Sequence, residues 1–87
     1  MIKLTRRRPV HDLAAAQDVL KVVLETAQAQ QARRVTAISL KVGRLYAIDQ
    51  MESLIAALAE GTIAEGARLE IESVPGPGLA VESLEVE

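Results

Sequence analysis

The chain has 87 residues, of which 49% are apolar, with one aromatic (Tyr46), no cysteine and a net charge of −2. That length argues for a single core, the missing thiols exclude a disulfide framework and a thiolate metal site, and no apolar run approaches the ~18 residues of a spanning helix. Residues 1–44 carry nine Lys/Arg against three Asp/Glu and residues 45–87 one against nine, so the basic half suits an acidic protein surface or phosphate, while the acidic half and lone aromatic leave little for nucleic acid to grip or stack on.

Residues 1–9 read as a basic tail or a short extra edge strand, closed by Pro9, with no apolar region of secretory type. From about His11 to Ala32 the apolar positions Leu13, Ala16, Leu20, Val23, Leu24 and Ala27 recur at helical spacing. Asp12 is then expected in the first turn, where a carboxylate suits the helix dipole, and Arg33 and Arg34 complement the carboxyl end. The period next changes to two: Ile38, Leu40 and Val42 alternate with Ser39 and Lys41 as a half-buried strand that Gly43 ends. A loop through Tyr46 leads to Asp49-Gln50-Met51-Glu52, the spacing of an N-cap with a carboxylate three residues on. A second helix follows to about Glu60, with Met51, Leu54, Ile55 and Leu58 inward and Gly61 as its stop.

Residues 68–74 alternate again, Pro75-Gly76-Pro77-Gly78 is a turn signal, and Leu79 to Val86 supplies a last strand. Its apolar phase slips between Val81 and Leu84, which predicts a bulge or bend. The expected fold is an α/β two-layer arrangement, two helices packed on a three-stranded mixed sheet in the order α-β-α-β-β. Strand-helix-strand should form a right-handed parallel crossover, and the Pro-Gly turn an antiparallel hairpin.

Three stretches of this order carry a resemblance: His11-Asp12-Leu13, Arg34-Val35-Thr36 with Leu40-Lys41-Val42-Gly43, and Gly61 to Glu72, with Ser83 to Val86 in support. Together they resemble the HypA/HybF family of hydrogenase maturation nickel metallochaperones over residues 10–87, in the nickel-domain part alone. The resemblance implies a cytoplasmic, non-enzymatic factor delivering nickel to a hydrogenase large subunit or another nickel-enzyme client, alongside the family's GTPase. A homodimer would help stabilise so small a domain. Family members usually insert a zinc domain with two cysteine pairs between the last two strands. Here Pro75 to Gly78 stands in its place, so no zinc site of that kind is expected.

His11 is the only histidine. In the family the matching histidine is residue two, and the free amine, imidazole and adjacent backbone nitrogens give the square-planar nitrogen set that Ni(II) favours. Here the Val10 nitrogen is a peptide amide joined to Pro9, a far weaker donor than an amine of pKa near ~8. Val10 stands where the family has its initiator methionine, and GTG both encodes valine and starts bacterial genes, which gives the expectation that the native chain begins Met-His-Asp. The resemblance makes His11, Asp12 and Asp49 the candidate nickel residues. Asp12 reads equally well as a first-turn carboxylate, and Asp49 better as the cap of helix two. Arg44 stands where the family often has glutamate and would repel a cation. With Tyr46 it is the candidate partner-binding pair, Tyr46 suiting core packing as well. The competing function is a zinc-free, metal-free paralogue acting as a protein-protein interaction module or subunit. One histidine without a nucleophile gives no catalytic apparatus.

Overall fold

The computed structural model describes residues 7–87, with side chains from Asp12 onward. Helices α1 (Arg7–Ala29) and α2 (Ile48–Ala59) pack on a sheet of β1 (Val35–Val42), β2 (Arg68–Ser73) and β3 (Leu79–Val86). The two-layer α-β-α-β-β order is as the periodicity predicts.

Helix α1 starts earlier than the apolar stripe suggests. Pro9 does not close the tail but sits third in the helix. A first-turn amide has no intrahelical partner, so the proline ring costs nothing there. Residues 1–6, the remainder of the expected tail or edge strand, lie outside the described residues. The earlier start also corrects Asp12, which is the sixth helical residue and not a first-turn carboxylate; the first turn holds no acid. The buried stripe is Ala15, Ala16, Val19, Leu20, Val23 and Ala27, and Leu13, expected inward, is 40% exposed.

At its other end α1 closes three residues before Ala32. The Ala32 amide donates to the Ala27 carbonyl at 3.0 Å and the Gln31 amide to Gln28 at 2.9 Å, the paired bonds of a Schellman cap. That cap puts Gln31 in the left-handed region, at φ 57°. Gln31→Gly is therefore expected to stabilise the fold by about 0.5–1 kcal/mol in urea unfolding, relieving a left-handed penalty of ~1–2 kcal/mol against an added chain entropy of ~0.5–1 kcal/mol. An unchanged or lower midpoint would show that the turn carries no such strain.

Sheet order is β2-β1-β3. β1 pairs in parallel with β2, through α2, and antiparallel with β3. Across the inner face Ile38 lies between Leu69 and Leu84, and Leu40 between Ile71 and Val81. On this central strand Ile38, Leu40 and Val42 are each 1% exposed, against Met51 and Ile55 of α2 and Val23 of α1. Of the predicted bulge or bend, a bulge is present: Ser39 faces Ser83 but Leu40 faces Val81, leaving Glu82 as the extra residue. The expected hairpin is not formed. β2 and β3 flank β1 and never pair, so Pro75–Gly78 is an arch over the end of β1 rather than a two-strand turn.

Helix α2 corrects a second expectation. Its capping position is Ala47, with no side-chain cap, and Asp49 is the second helical residue. There its charge still favours the helix dipole. The helix ends at Ala59, and Gly61 takes the left-handed φ of 81° that its stop role requires.

The outer sheet face carries ions. Lys41 meets Glu82 at 3.3 Å, and Arg68 meets Glu70 at 2.9 Å and Glu85 at 3.5 Å. Hydrogen bonds from Arg68 and then from Ser39, with the Arg68 charge, hold the Glu70 carboxyl below the usual carboxylate range. The Glu70 hydrogen bond and charge, with Glu85, raise Arg68 in turn. All these groups are exposed, so solvent screening keeps the network weak.

Candidate functional site

The topology gathers the sequence candidates at one pole of the molecule. β1 ends there at Val42, the Gly43–Tyr46 turn leads straight into α2, and β2 arrives there because it runs parallel to β1. β3 leaves from the same pole, being antiparallel to β1. Helix α1 runs parallel to α2: Ala15 lies beside Tyr46 near the pole, and Leu24 beside Leu58 further down. The amino-terminal ends of both helices therefore face the same way, bringing His11, Asp12, Arg44, Tyr46 and Asp49 to one end of the fold.

The pole is fastened by backbone. The Gly43 amide donates to Gly78 O at 2.6 Å, Arg44 N to Gly76 O at 3.1 Å and Val74 N to Val42 O at 3.0 Å. The Tyr46 amide closes the turn onto Gly43 O at 3.2 Å. Arg44 is exposed, and its Nη1 donates to Pro75 O at 2.9 Å, so the guanidinium clasps the arch. Pro75 and Pro77 have no amide to leave unpaired. Because the arch crosses directly over Gly43, a Cβ on that glycine would lie 2.6 Å from both Gly78 O and the Pro77 carbonyl carbon.

Tyr46 is half-buried and packs against the core, as one of its two expected roles required. Asp49 is exposed and Asp12 half-buried. The His11 side chain lies outside the described residues, although its backbone is within α1. Among the described residues, no three His, Cys, Asp or Glu side chains gather into a metal-holding group, a statement that does not reach a set completed by His11. The helix does settle the state of the backbone donors. In an α-helix beginning at Arg7, the His11 amide lies beyond the unpaired first turn and donates to the Arg7 carbonyl.

One exposed group at this pole carried no sequence signal beyond an apolar residue in a short loop. Leu45 is 69% exposed, between the clasped Arg44 and the packed Tyr46. Leu13, two residues before Ala15 on α1, is also exposed. Among the described residues no helix is long and apolar enough to cross a membrane.

A family model described as hydrogenase/urease nickel incorporation, metallochaperone, matches residues 10–79. The hydrogenase maturation factor HypA of Dechloromonas aromatica is 36% identical over 78 residues, covering 87% of this chain and 69% of that protein. The factor of Methanobrevibacter smithii is 35% identical over 68 residues, covering 76% and 54%, and that of Azotobacter chroococcum 40% over 70 residues, covering 77% and 61%. The chain thus spans about half to two-thirds of the length of these curated relatives. In fold it is similar to the solution structure of the nickel metallochaperone HypA from Helicobacter pylori, with a TM-score of 0.76 over 86% of this chain and 96% of that one, at 12% identity.

Proposed function

The chain belongs to the HypA family of hydrogenase/urease nickel-incorporation metallochaperones, and on that premise we propose that it is a cytoplasmic, non-enzymatic accessory protein for nickel delivery into hydrogenase. The observation that carries this reading is the match over residues 10–79, which takes in His11-Asp12-Leu13 at the start of the matched span. Nickel is the cargo. The His11 imidazole is its primary donor, with Asp12 beside it in sequence and Asp49 on the neighbouring helix start as carboxylate candidates. Imidazole nitrogen suits Ni(II), and the carboxylates supply charge. The exposed Arg44–Tyr46 turn, with Leu45 at its tip, is the surface for the client's large subunit or for the maturation GTPase. An apolar side chain on a turn held by three backbone bonds, from the Gly43, Arg44 and Tyr46 amides, needs little ordering on binding.

Calorimetric titration of nickel into the full chain and His11→Ala tests the proposal. Micromolar binding lost in the variant is the expected result. Binding that survives in His11→Ala removes His11 from the site.

A second reading has its own observation. Because α1 continues through His11, the backbone nitrogens that would complete a nickel chelate are committed to the helix. That favours a metal-free interaction module using the same pole. If neither chain takes up nickel, this second reading replaces the first.

A further inference from the structure

β2 is an edge strand, with its far side unpaired to any strand among the described residues. One bond fixes which of its groups face that side. The Val74 amide donates to Val42 O of β1, and backbone groups alternate sides along a strand, so Arg68, Glu70 and Glu72 also bond toward β1. The amides and carbonyls of Leu69 and Ile71 therefore point to the open edge. Arg68, Glu70 and Glu72 are exposed on the outer face, while Leu69 and Ile71 are half-buried on the inner one. On that inner side a groove of about 100 Å³ lies between β2 and α2, walled by Ala56, Ala59, Ala64 and Ala67. An open edge beside an apolar groove invites another strand.

We propose that the occupant is β2 of a second copy of this chain, paired antiparallel about a two-fold axis at Leu69. Charge complementarity selects both the partner and the register. With Leu69 on the axis, Arg68 falls opposite the partner's Glu70 and Glu70 opposite the partner's Arg68. These are non-hydrogen-bonded positions, where side chains approach most closely, with Cα atoms only about 4.5 Å apart. Arg68 already meets Glu70 of its own chain at 2.9 Å, so the four charges alternate in sign around the axis. Other registers set like charges against each other, which is unfavourable. An axis at Arg68 opposes two arginines, one at Glu70 opposes two glutamates, and one at Ile71 opposes Glu70 to the partner's Glu72. The same register uses the outward backbone groups. Leu69 exchanges two bonds with the partner's Leu69, and each Ile71 amide donates to the Ala67 carbonyl of the other copy. The Ala67 amide is not needed, being bonded to Ala64 O at 3.1 Å. On the inner face Ile71 then comes beside the partner's Ala67, at the wall of the groove. The other edge does not suit self-pairing, because the charges of β3 are glutamates alone, Glu82 and Glu85. A two-fold pairing of like surfaces closes at two copies. Leu69 lies at the start of β2, far from the pole, so the antiparallel pairing sends the two poles to opposite ends of the dimer.

Sedimentation of the metal-free full chain over a concentration series tests the inference, and a monomer–dimer equilibrium is the expected result. A monomer at every concentration up to millimolar overturns it, as does assembly beyond two copies. Arg68→Glu and Glu70→Arg each set like charges opposite one another at both pairs, and each is expected to raise the dimer dissociation constant roughly tenfold or more. Mixed in equal amounts, the two variants recover opposite charges at both pairs and are expected to associate with each other about as tightly as the parent with itself. Variants that dimerise like the parent, or a mixture that does not associate, place the interface elsewhere. Hydrogen exchange on the unmodified chain reads the same edge without any substitution. The Leu69 and Ile71 amides are expected to slow as concentration rises, while the outward amides of β3 do not change. Slowing at β3 in place of β2 assigns the contact to the other edge, and the proposal is then wrong.

Discussion

Gly43→Ala is expected to cost roughly 2–4 kcal/mol of stability, enough to leave a domain with a total of about 5–15 kcal/mol marginal or unfolded. The reason is geometric rather than conformational. The added methyl would meet Gly76 O, Gly78 O and Pro77, all backbone, so no side chain can swing aside. The arch would have to lift, surrendering the Gly43–Gly78 and Arg44–Gly76 hydrogen bonds and the Arg44 clasp on Pro75. Urea unfolding monitored by circular dichroism reads the loss. As a control, Gly76→Ala has open space around its Cβ and is expected to shift the midpoint far less. A Gly43→Ala protein as stable as its parent would mean that the arch does not sit on β1 as described.

The second large effect concerns nickel. A chain lacking residues 1–9 and carrying Val10→Met, so that it begins Met-His-Asp, is expected to bind nickel about a hundredfold or more tightly than the full chain, a gain of about 2.8 kcal/mol. Two changes act together. The truncation creates an α-amine with a pKa near ~8, which yields a lone pair at neutral pH far more readily than the Val10 amide does. It also returns the His11 amide to the unpaired first turn of the helix, where coordination no longer breaks an intrahelical hydrogen bond. The residue identities at 11 and 12 are the same in both chains, so the comparison isolates the amine and the helix start. Equal affinities by calorimetry would place the donors elsewhere, with Asp49 the next residue to replace.

Much of the architecture was legible because its core is aliphatic and strictly periodic. Ile38, Leu40 and Val42 announced β1, Met51 and Ile55 announced α2, and the phase slip between Val81 and Leu84 announced an irregularity that the register contains as a bulge. Strand neighbours were not legible. Pro75-Gly76-Pro77-Gly78 encodes a local reversal of the chain, and a reversal is equally compatible with a hairpin or with a hop across an intervening strand. Only the competition of β2 and β3 for the two edges of β1 decides between them. Helix starts failed for a related reason. Pro9 signals a break by its missing amide, yet that amide is not needed in a first turn. Asp49 signals a cap by residue type, but the chain enters α2 through Ala47.

At the pole, resemblance supplied His11, Asp12 and Asp49, and the topology brings their backbones to one end. Leu45 escaped notice because one leucine in a loop has no periodicity to mark it. Its exposure is a property of the turn that carries it.

Placing β1 between two strands that come later in the chain also shapes how the sheet is assembled. Val35 pairs with Val86 and Ile38 with Leu69, so every rung of the sheet joins residues far apart in sequence and no local hairpin exists to seed it. The helices can form early from neighbouring residues, but β1 must wait with both edges open until distant segments return. Folding should therefore be slow for a chain of this size, limited by loop closure rather than by zippering. For as long as that wait lasts, the apolar β1 is the segment of the chain most exposed to pairing with another molecule.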